Sequence, residues 1–166
     1  LSSGKTTASK ILSNKRGPLF SADSVVKSFY KKIKFKKIIS LKFKIKNVSN
    51  IKNTLKKRIL KDNSKIKVLE KIIHPFVRKE MYKFMKKNKN KKFTFFEIPL
   101  LVESKLMKNF DVIFFIKAKK NLRLKRFLSK GGNRKLFKIL NNQQLSDSNK
   151  VKFCDHIIVN EKNLNI

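Results

Sequence analysis

The sequence predicts an α/β layered domain built on a parallel sheet. Three observations predict it. The chain opens on Leu1-Ser2-Ser3-Gly4-Lys5-Thr6-Thr7, the back half of the phosphate-binding pattern G-x-x-x-x-G-K-[ST], followed at once by a helical stretch. Four short apolar segments are then separated by helical ones, the alternation of layered α/β domains with right-handed crossovers. The middle two of the four are almost continuously apolar, as central strands covered on both faces are.

Taken in order, the first element is a helix over Thr6 to Ser13, with Ala8, Ile11 and Leu12 at helical spacing. In such a loop Gly4 permits the tight turn that points successive N–H groups at a phosphate chain. Lys5 reaches the β- and γ-phosphates, Thr6 offers its hydroxyl to Mg²⁺, and the helix aims its positive end at the same anion. A helix that merely starts with Ser-Gly-Lys-Thr is the alternative.

The strands follow: Leu19 to Ala22 after Gly17-Pro18, Phe93 to Ile98 before Pro99, Asp111 to Ile116, and His156 to Val159. Between them lie helices over Val68 to Lys87 and Asn121 to Leu128. The stretch Phe29 to Ile66 has no single period, and Ile38 to Val48 fits either strand or helix. Residues 1–28 and 90–166 form the core, residues 29–89 an insertion, and residues 121–150 a lid hinged at Gly131-Gly132-Asn133.

The chain of 166 residues suits one domain, and its 40% hydrophobic content with 15 Phe can fill a core. A net charge of +34 attracts anionic ligands and makes their binding salt-sensitive. Specific nucleic-acid binding is not expected. Of 44 basic residues only Arg16, Arg58, Arg78, Arg123, Arg126 and Arg134 are arginine, and the lysines are spread along the whole length. Abundant Lys, Asn, Ile and Phe fits coding bias in an AT-rich genome. A single cysteine, Cys154, excludes a disulfide framework and reads as a small core residue in a reducing cytosol. No apolar run reaches membrane-spanning length, so no membrane partner is expected.

Several polar residues sit where chemistry is expected. Asp23 follows the first legible strand; it could accept a proton from an attacking hydroxyl or hold Mg²⁺ through water, or it or Ser24 could cap a helix opening at Val25. His74 precedes Pro75, which imposes a kink or a fresh helix start, and Arg78 lies one turn on, so the two could clamp a polar group. Glu97 and Glu103 flank Pro99 at a strand end, suited to metal or substrate contact or to pairing with lysines. Arg123, Arg126 and Lys130 precede the glycine hinge, as lid cations over a transferring phosphate would.

These motifs in this order resemble dephospho-CoA kinases over nearly the whole chain. The carriers are Ser2 to Thr7, Ala22-Asp23, Leu69 to Arg78, Ile98 to Glu103, Leu124 to Arg126, Gln144 to Ser146 and Cys154 to Asn160. His-Pro-x-Val-Arg and Ile-Pro-Leu-Leu-x-Glu are the specific ones. The resemblance implies a P-loop NTPase-type parallel sheet of five strands with helices on both faces, a helical substrate-binding insertion and a lid. It implies cytoplasmic transfer of the ATP γ-phosphate to the ribose 3′-hydroxyl of dephospho-CoA, with Mg²⁺, yielding coenzyme A.

On this likeness Asp23, Lys5 and Arg126 are catalytic, and Ser2, Ser3, Gly4, Lys5, Thr6, Thr7 and Asn160 bind ATP. His74, Arg78 and Glu103 bind dephospho-CoA, and Thr6 and Asp23 hold the metal. Another small-molecule P-loop kinase (nucleoside monophosphate or shikimate type), a catalytically dead paralogue and a basic nucleic-acid-binding protein are the alternatives. Ser21 stands where the family usually has Asp, and Ser2 where a loop glycine is common. The chain reads as clipped at both ends: no initiator Met or first strand precedes the loop, and a last helix is expected to begin at Asn163.

Overall fold

A computed structural model of the chain describes residues 1–162; the helix expected from Asn163 lies outside the described residues. The chain divides into two compact units, residues 13–97 and residues 1–12 with 98–166.

In the unit of residues 13–97, β1 (Leu19–Ser21) and β2 (Phe95–Glu97) pair in parallel, with Leu19 opposite Phe95 and Ser21 opposite Glu97. Phe20 of β1 is buried, its ring 5.6 Å from Phe84 and 5.8 Å from Phe96. Helix α2 (Ala22–Phe29) starts directly after β1. Its cap is Ser21, whose Oγ accepts the Ser24 N–H at 3.4 Å, and not Asp23 or Ser24 as the sequence suggested. The extended backbone needed for a cap is already supplied by the last strand residue, so the helix begins earlier than Val25.

The stretch Ile38 to Val48 is helical as far as Phe43 and leaves the helix from Lys44 on; α3 (Ile33–Phe43) and α4 (Ile51–Lys61) lead into α5 (Lys65–Lys87). Phe35, Ile39 and Phe43 fall one turn apart and share a face. With Phe29, Ile45, Ile51 and Leu55 they form the unit's core, against which Ile72, Ile73, Phe76 and Val77 of α5 pack. Burial of each such side chain contributes roughly 1.5–3 kcal/mol, so packing outweighs the local alternation that resembled a strand. Helix α5 continues through Pro75 with no fresh start there. Pro75 is exposed. The aromatic contacts Phe29–Phe76 and Phe35–Phe76, at 5.6 and 5.5 Å, secure the same turn.

In the unit of residues 1–12 and 98–166, α1 (Lys5–Ser13) emerges from the loop and belongs to the unit as far as Leu12. Strands β3 (Phe114–Lys117) and β4 (His156–Val159) pair in parallel from Phe114 opposite His156 to Lys117 opposite Val159. Cover on both faces was expected of β3. Instead Phe114 is 42% exposed and Val159 on β4 61% exposed, because within this unit the ladder has only two strands. Helices α6 (Lys120–Leu128), α7 (Arg134–Asn142) and α8 (Asp147–Val151) lie between β3 and β4. Gly131, at φ +77°, turns the chain between α6 and α7, and Asn133 caps α7 through the Leu136 N–H at 2.8 Å. The rings of Phe127 and Phe137, 5.7 Å apart, hold the two helices together.

Candidate active site: a braced phosphate loop

The loop ahead of α1 is bent by two left-handed residues. Gly4 has φ +95°, and Ser2 has φ +52°. The sequence raised the question of whether serine at position 2 alters the loop. Ser2 takes up the left-handed backbone despite its Cβ, at a cost of about 1 kcal/mol. Ser3 is buried between them. Lys5, Thr6 and Thr7 form the first turn of α1, with the Ala8 N–H donating to Gly4 O at 3.0 Å; Thr6 and Thr7 are exposed and Lys5 half-buried.

The loop is fastened from the far end of the chain. Asn160 continues β4 beyond its last residue, donating its backbone N–H to Lys117 O at 2.8 Å. Its side-chain Nδ2 donates to Ser3 O at 2.9 Å. A Cβ on Gly4 would sit far inside contact distance of that nitrogen and 3.3 Å from Asn160 Cγ, so glycine is required twice, for its φ and for its bareness. Arg126 of α6 in turn donates from Nη1 to Asn160 O at 3.1 Å. Ser3, Asn160 and Arg126 are thereby joined by hydrogen bonds, with Gly4 packed against the Asn160 side chain. That Asn160 braces the loop through its side chain was not legible beforehand. The only signal was a polar residue ending an apolar strand.

Glu103 pairs with a lysine, one of the two readings its position allowed, and the structure identifies which one. Its Oε1 receives Lys150 Nζ at 3.1 Å and the Leu145 N–H at 3.0 Å. Lys150 is buried and also donates to Gln144 Oε1 at 3.2 Å. A lysine is buried only when its charge is compensated, and here one carboxylate and one amide do so. Arg123 joins α6 to α7 through Asn141 Oδ1 at 3.0 Å, and its Nε is buried without a hydrogen-bond partner among the described residues. Cys154 donates its Sγ–H to Lys150 O at 3.2 Å, and burial, then the Asp155 charge, pushes its thiol up. A raised thiol is a poor nucleophile, though Cys154 is half-buried and not, as expected, in the core.

In the other unit, Asp23 occupies the exposed first turn of α2, two residues beyond the end of β1. Ser21, where a carboxylate is usual, has two structural tasks: it caps α2, and its Oγ donates to Glu97 Oε2 at 3.1 Å. Glu97 is buried. The parallel register sets Ser21 opposite Glu97, so the carboxylate approaches this strand end from β2. His74 and Arg78 lie one turn apart on α5, His74 half-buried and Arg78 exposed.

The Thr6 hydroxyl stands in the exposed first turn of α1 and the Asp23 carboxylate in that of α2, each an oxygen donor of the hard kind Mg²⁺ prefers. No group of three or more His, Cys, Asp or Glu exists among the described residues. Single oxygen donors of this kind suit an ion that arrives with a nucleotide's phosphates and keeps much of its water.

The family model for dephospho-CoA kinase matches residues 1–165. A dephospho-CoA kinase of Fusobacterium nucleatum is 33% identical over 99% of this chain and 87% of its own length. One from Bartonella henselae is 31% identical over 97% of this chain and 85% of its own. Among solved structures, a dephospho-CoA kinase from Campylobacter jejuni superposes with a TM-score of 0.62 at 26% identity, covering 99% of this chain and 86% of that one. The Thermus thermophilus protein TT1252 superposes at 0.73 with 21% identity over the same shares, a likeness of fold.

Proposed function

The chain belongs to the dephospho-CoA kinase family, and from that premise we propose that it transfers the γ-phosphate of ATP to the ribose 3′-hydroxyl of dephospho-CoA, giving coenzyme A and ADP. The observation that carries the reading is the loop of Ser2 to Lys5 at the mouth of α1, held by Asn160 and Arg126. A helix N-terminus with a lysine in its first residue and a cleared backbone at Gly4 is built to receive a polyphosphate.

Each residue then has a chemical task. The backbone N–H groups of Ser3 to Thr7 and the Lys5 ammonium take the phosphates, and Lys5 neutralises charge as the γ-phosphoryl moves. Arg126, oriented by Asn160 O, adds positive charge on the same side. Asp23 accepts the proton of the attacking 3′-hydroxyl while the bond from the γ-phosphorus to the bridging oxygen breaks and ADP departs. Mg²⁺, arriving with ATP, would be held by Thr6 and, through water, by Asp23; it supplies further neutralisation of the phosphate charge. Positioning and electrostatics carry such a reaction, with little covalent work for the protein.

Residues 29–89 serve as the insertion that takes dephospho-CoA, with His74 and Arg78 in contact, and residues 121–150 act as the lid. Glu103 offers its second carboxylate oxygen to substrate, since Oε1 is engaged by Lys150 and Leu145. The enzyme works in the cytoplasm; among the described residues no helix is long and apolar enough to cross a membrane. Incubation with ATP, Mg²⁺ and dephospho-CoA should release ADP and yield a product heavier by one phosphoryl group at the 3′ position. Turnover of shikimate or a nucleoside monophosphate in place of dephospho-CoA would refute the reading.

A further inference from the structure

Helix α3 lies in the insertion proposed to take dephospho-CoA, but none of the residues assigned to the reaction sits on its outer face. Phe35, Ile39 and Phe43 turn inward into the core. At about 100° per residue, the remaining positions Ile33, Lys37, Leu41, Lys34, Ile38 and Lys42 succeed one another around roughly half of the circumference. Apolar and basic side chains alternate across that arc. Leu41 is 80% exposed, Ile33 67% and Ile38 40%. Lys34, Lys37 and Lys42 are also exposed.

Between Asp23 and Asp62 the sequence holds no acidic residue and fourteen Lys or Arg, so this stretch of chain carries charge of one sign. Among the described residues none of the α3 lysines pairs with a carboxylate. A lysine-only face would suit any polyanion through charge alone. The three large aliphatic side chains distinguish the case, because nucleic acids offer stacking faces and phosphates, not a hydrocarbon phase. An anionic bilayer offers both a negative surface and acyl chains at one depth. It lets leucine and isoleucine enter while the lysine stems lie along the interface with their ammonium groups at the headgroups.

We propose that the outer face of α3 is a peripheral docking surface for anionic phospholipid membranes. Ile33, Ile38 and Leu41 enter the headgroup–acyl boundary, and Lys34, Lys37 and Lys42 contact the lipid phosphates. The absence of a spanning helix among the described residues is compatible with it, since lying on a bilayer and crossing it are separate modes.

The sequence contains no tryptophan, so Leu41→Trp introduces a single reporter. Its emission should shift to the blue on adding phosphatidylglycerol-containing vesicles at low salt, be quenched by acyl-brominated lipid, and stay unchanged with pure phosphatidylcholine. In flotation with the same anionic vesicles, Ile33→Ser/Leu41→Ser should lower partitioning about tenfold or more. Lys34→Glu/Lys37→Glu/Lys42→Glu should abolish it. All of these sites are exposed, so circular dichroism and the thermal midpoint should remain those of the parent, and a variant that fails this control is replaced by the single substitution Leu41→Ser. An unshifted reporter, or an aliphatic variant that binds vesicles as the parent does, overturns the proposal. Competition by single-stranded RNA that leaves the aliphatic variant unaffected overturns it in favour of nucleic acid. A mass that halves in Leu41→Ser by sedimentation overturns it in favour of a second copy of the chain.

Discussion

Replacing Gly4 by alanine tests the braced loop most directly. At φ +95° an L-residue is strained by about 1–3 kcal/mol, and the new methyl would overlap Asn160 Nδ2. The overlap is relieved only by moving the Asn160 side chain, which forfeits its bond to Ser3 O, worth about 1 kcal/mol. Together these amount to about 2–4 kcal/mol, or a fall in thermal midpoint of about 5–15 °C for a domain of this size. Where the loop distorts and the protein survives, about 2 kcal/mol lost from phosphate binding weakens ATP about thirtyfold.

The mechanism predicts a coupling as well as a loss. Asn160→Ala alone should cost about 1 kcal/mol. The double variant Gly4→Ala/Asn160→Ala should be less damaged than the sum of the singles by about 1 kcal/mol, because the bond cannot be lost twice and the obstacle is gone. Calorimetric unfolding of the four proteins, with ATP titrations alongside, measures the cycle. A Gly4→Ala protein indistinguishable from the parent, or strictly additive losses, would refute the reasoning.

Three further outcomes follow from named contacts. Asp23→Asn should reduce turnover of dephospho-CoA by about 10²–10⁴ while ATP affinity by titration calorimetry changes only a few-fold; full turnover would remove Asp23 as the base. Lys150→Met leaves Glu103 largely buried without its cation and should cost about 2–4 kcal/mol in urea unfolding. Adding Glu103→Gln to it should recover part of that loss, and a neutral single variant would show that the pair contributes nothing. The Asp62 carboxyl is held at about 2, below its ordinary 3.8, chiefly by the Lys65 ammonium and then by the Ser64 hydroxyl. Since the folded value lies below the unfolded one, its stabilisation is whole above about pH 4 and disappears as pH falls towards 2. The gap in thermal midpoint between the parent and Asp62→Asn should close across that window, and a gap that stays constant there contradicts the assignment.

Legibility followed the range of the signal. The glycine–lysine–threonine turn, the α1 and α6 spacings and the four strand positions were readable because their determinants lie within a few residues of one another. Residues 38–48 were not readable, since Phe35, Ile39 and Phe43 take helical form to reach a core supplied by α2 and α5. Pro75 does not restart the helix for a related reason: the penalty for proline in a helix is local, whereas the aromatic contacts of Phe76 that outweigh it come from residues more than forty positions earlier. The α2 cap was misassigned by two residues because Ser21 does two tasks, and the second, towards Glu97, involves a residue 76 positions away.

By itself the sequence determined the phosphate loop, the alternation of strands and helices, and the motifs by which the chain joins the dephospho-CoA kinases; each is written in adjacent residues or at a helical or strand period. Only the tertiary structure decided that Asn160 braces Ser3 across 157 positions, that Lys150 neutralises Glu103 in a buried setting, and that Glu97 stands beside Ser21. Such pairs depend on register and burial, which arise only when strands align and helices dock, and no local pattern of residue types encodes them.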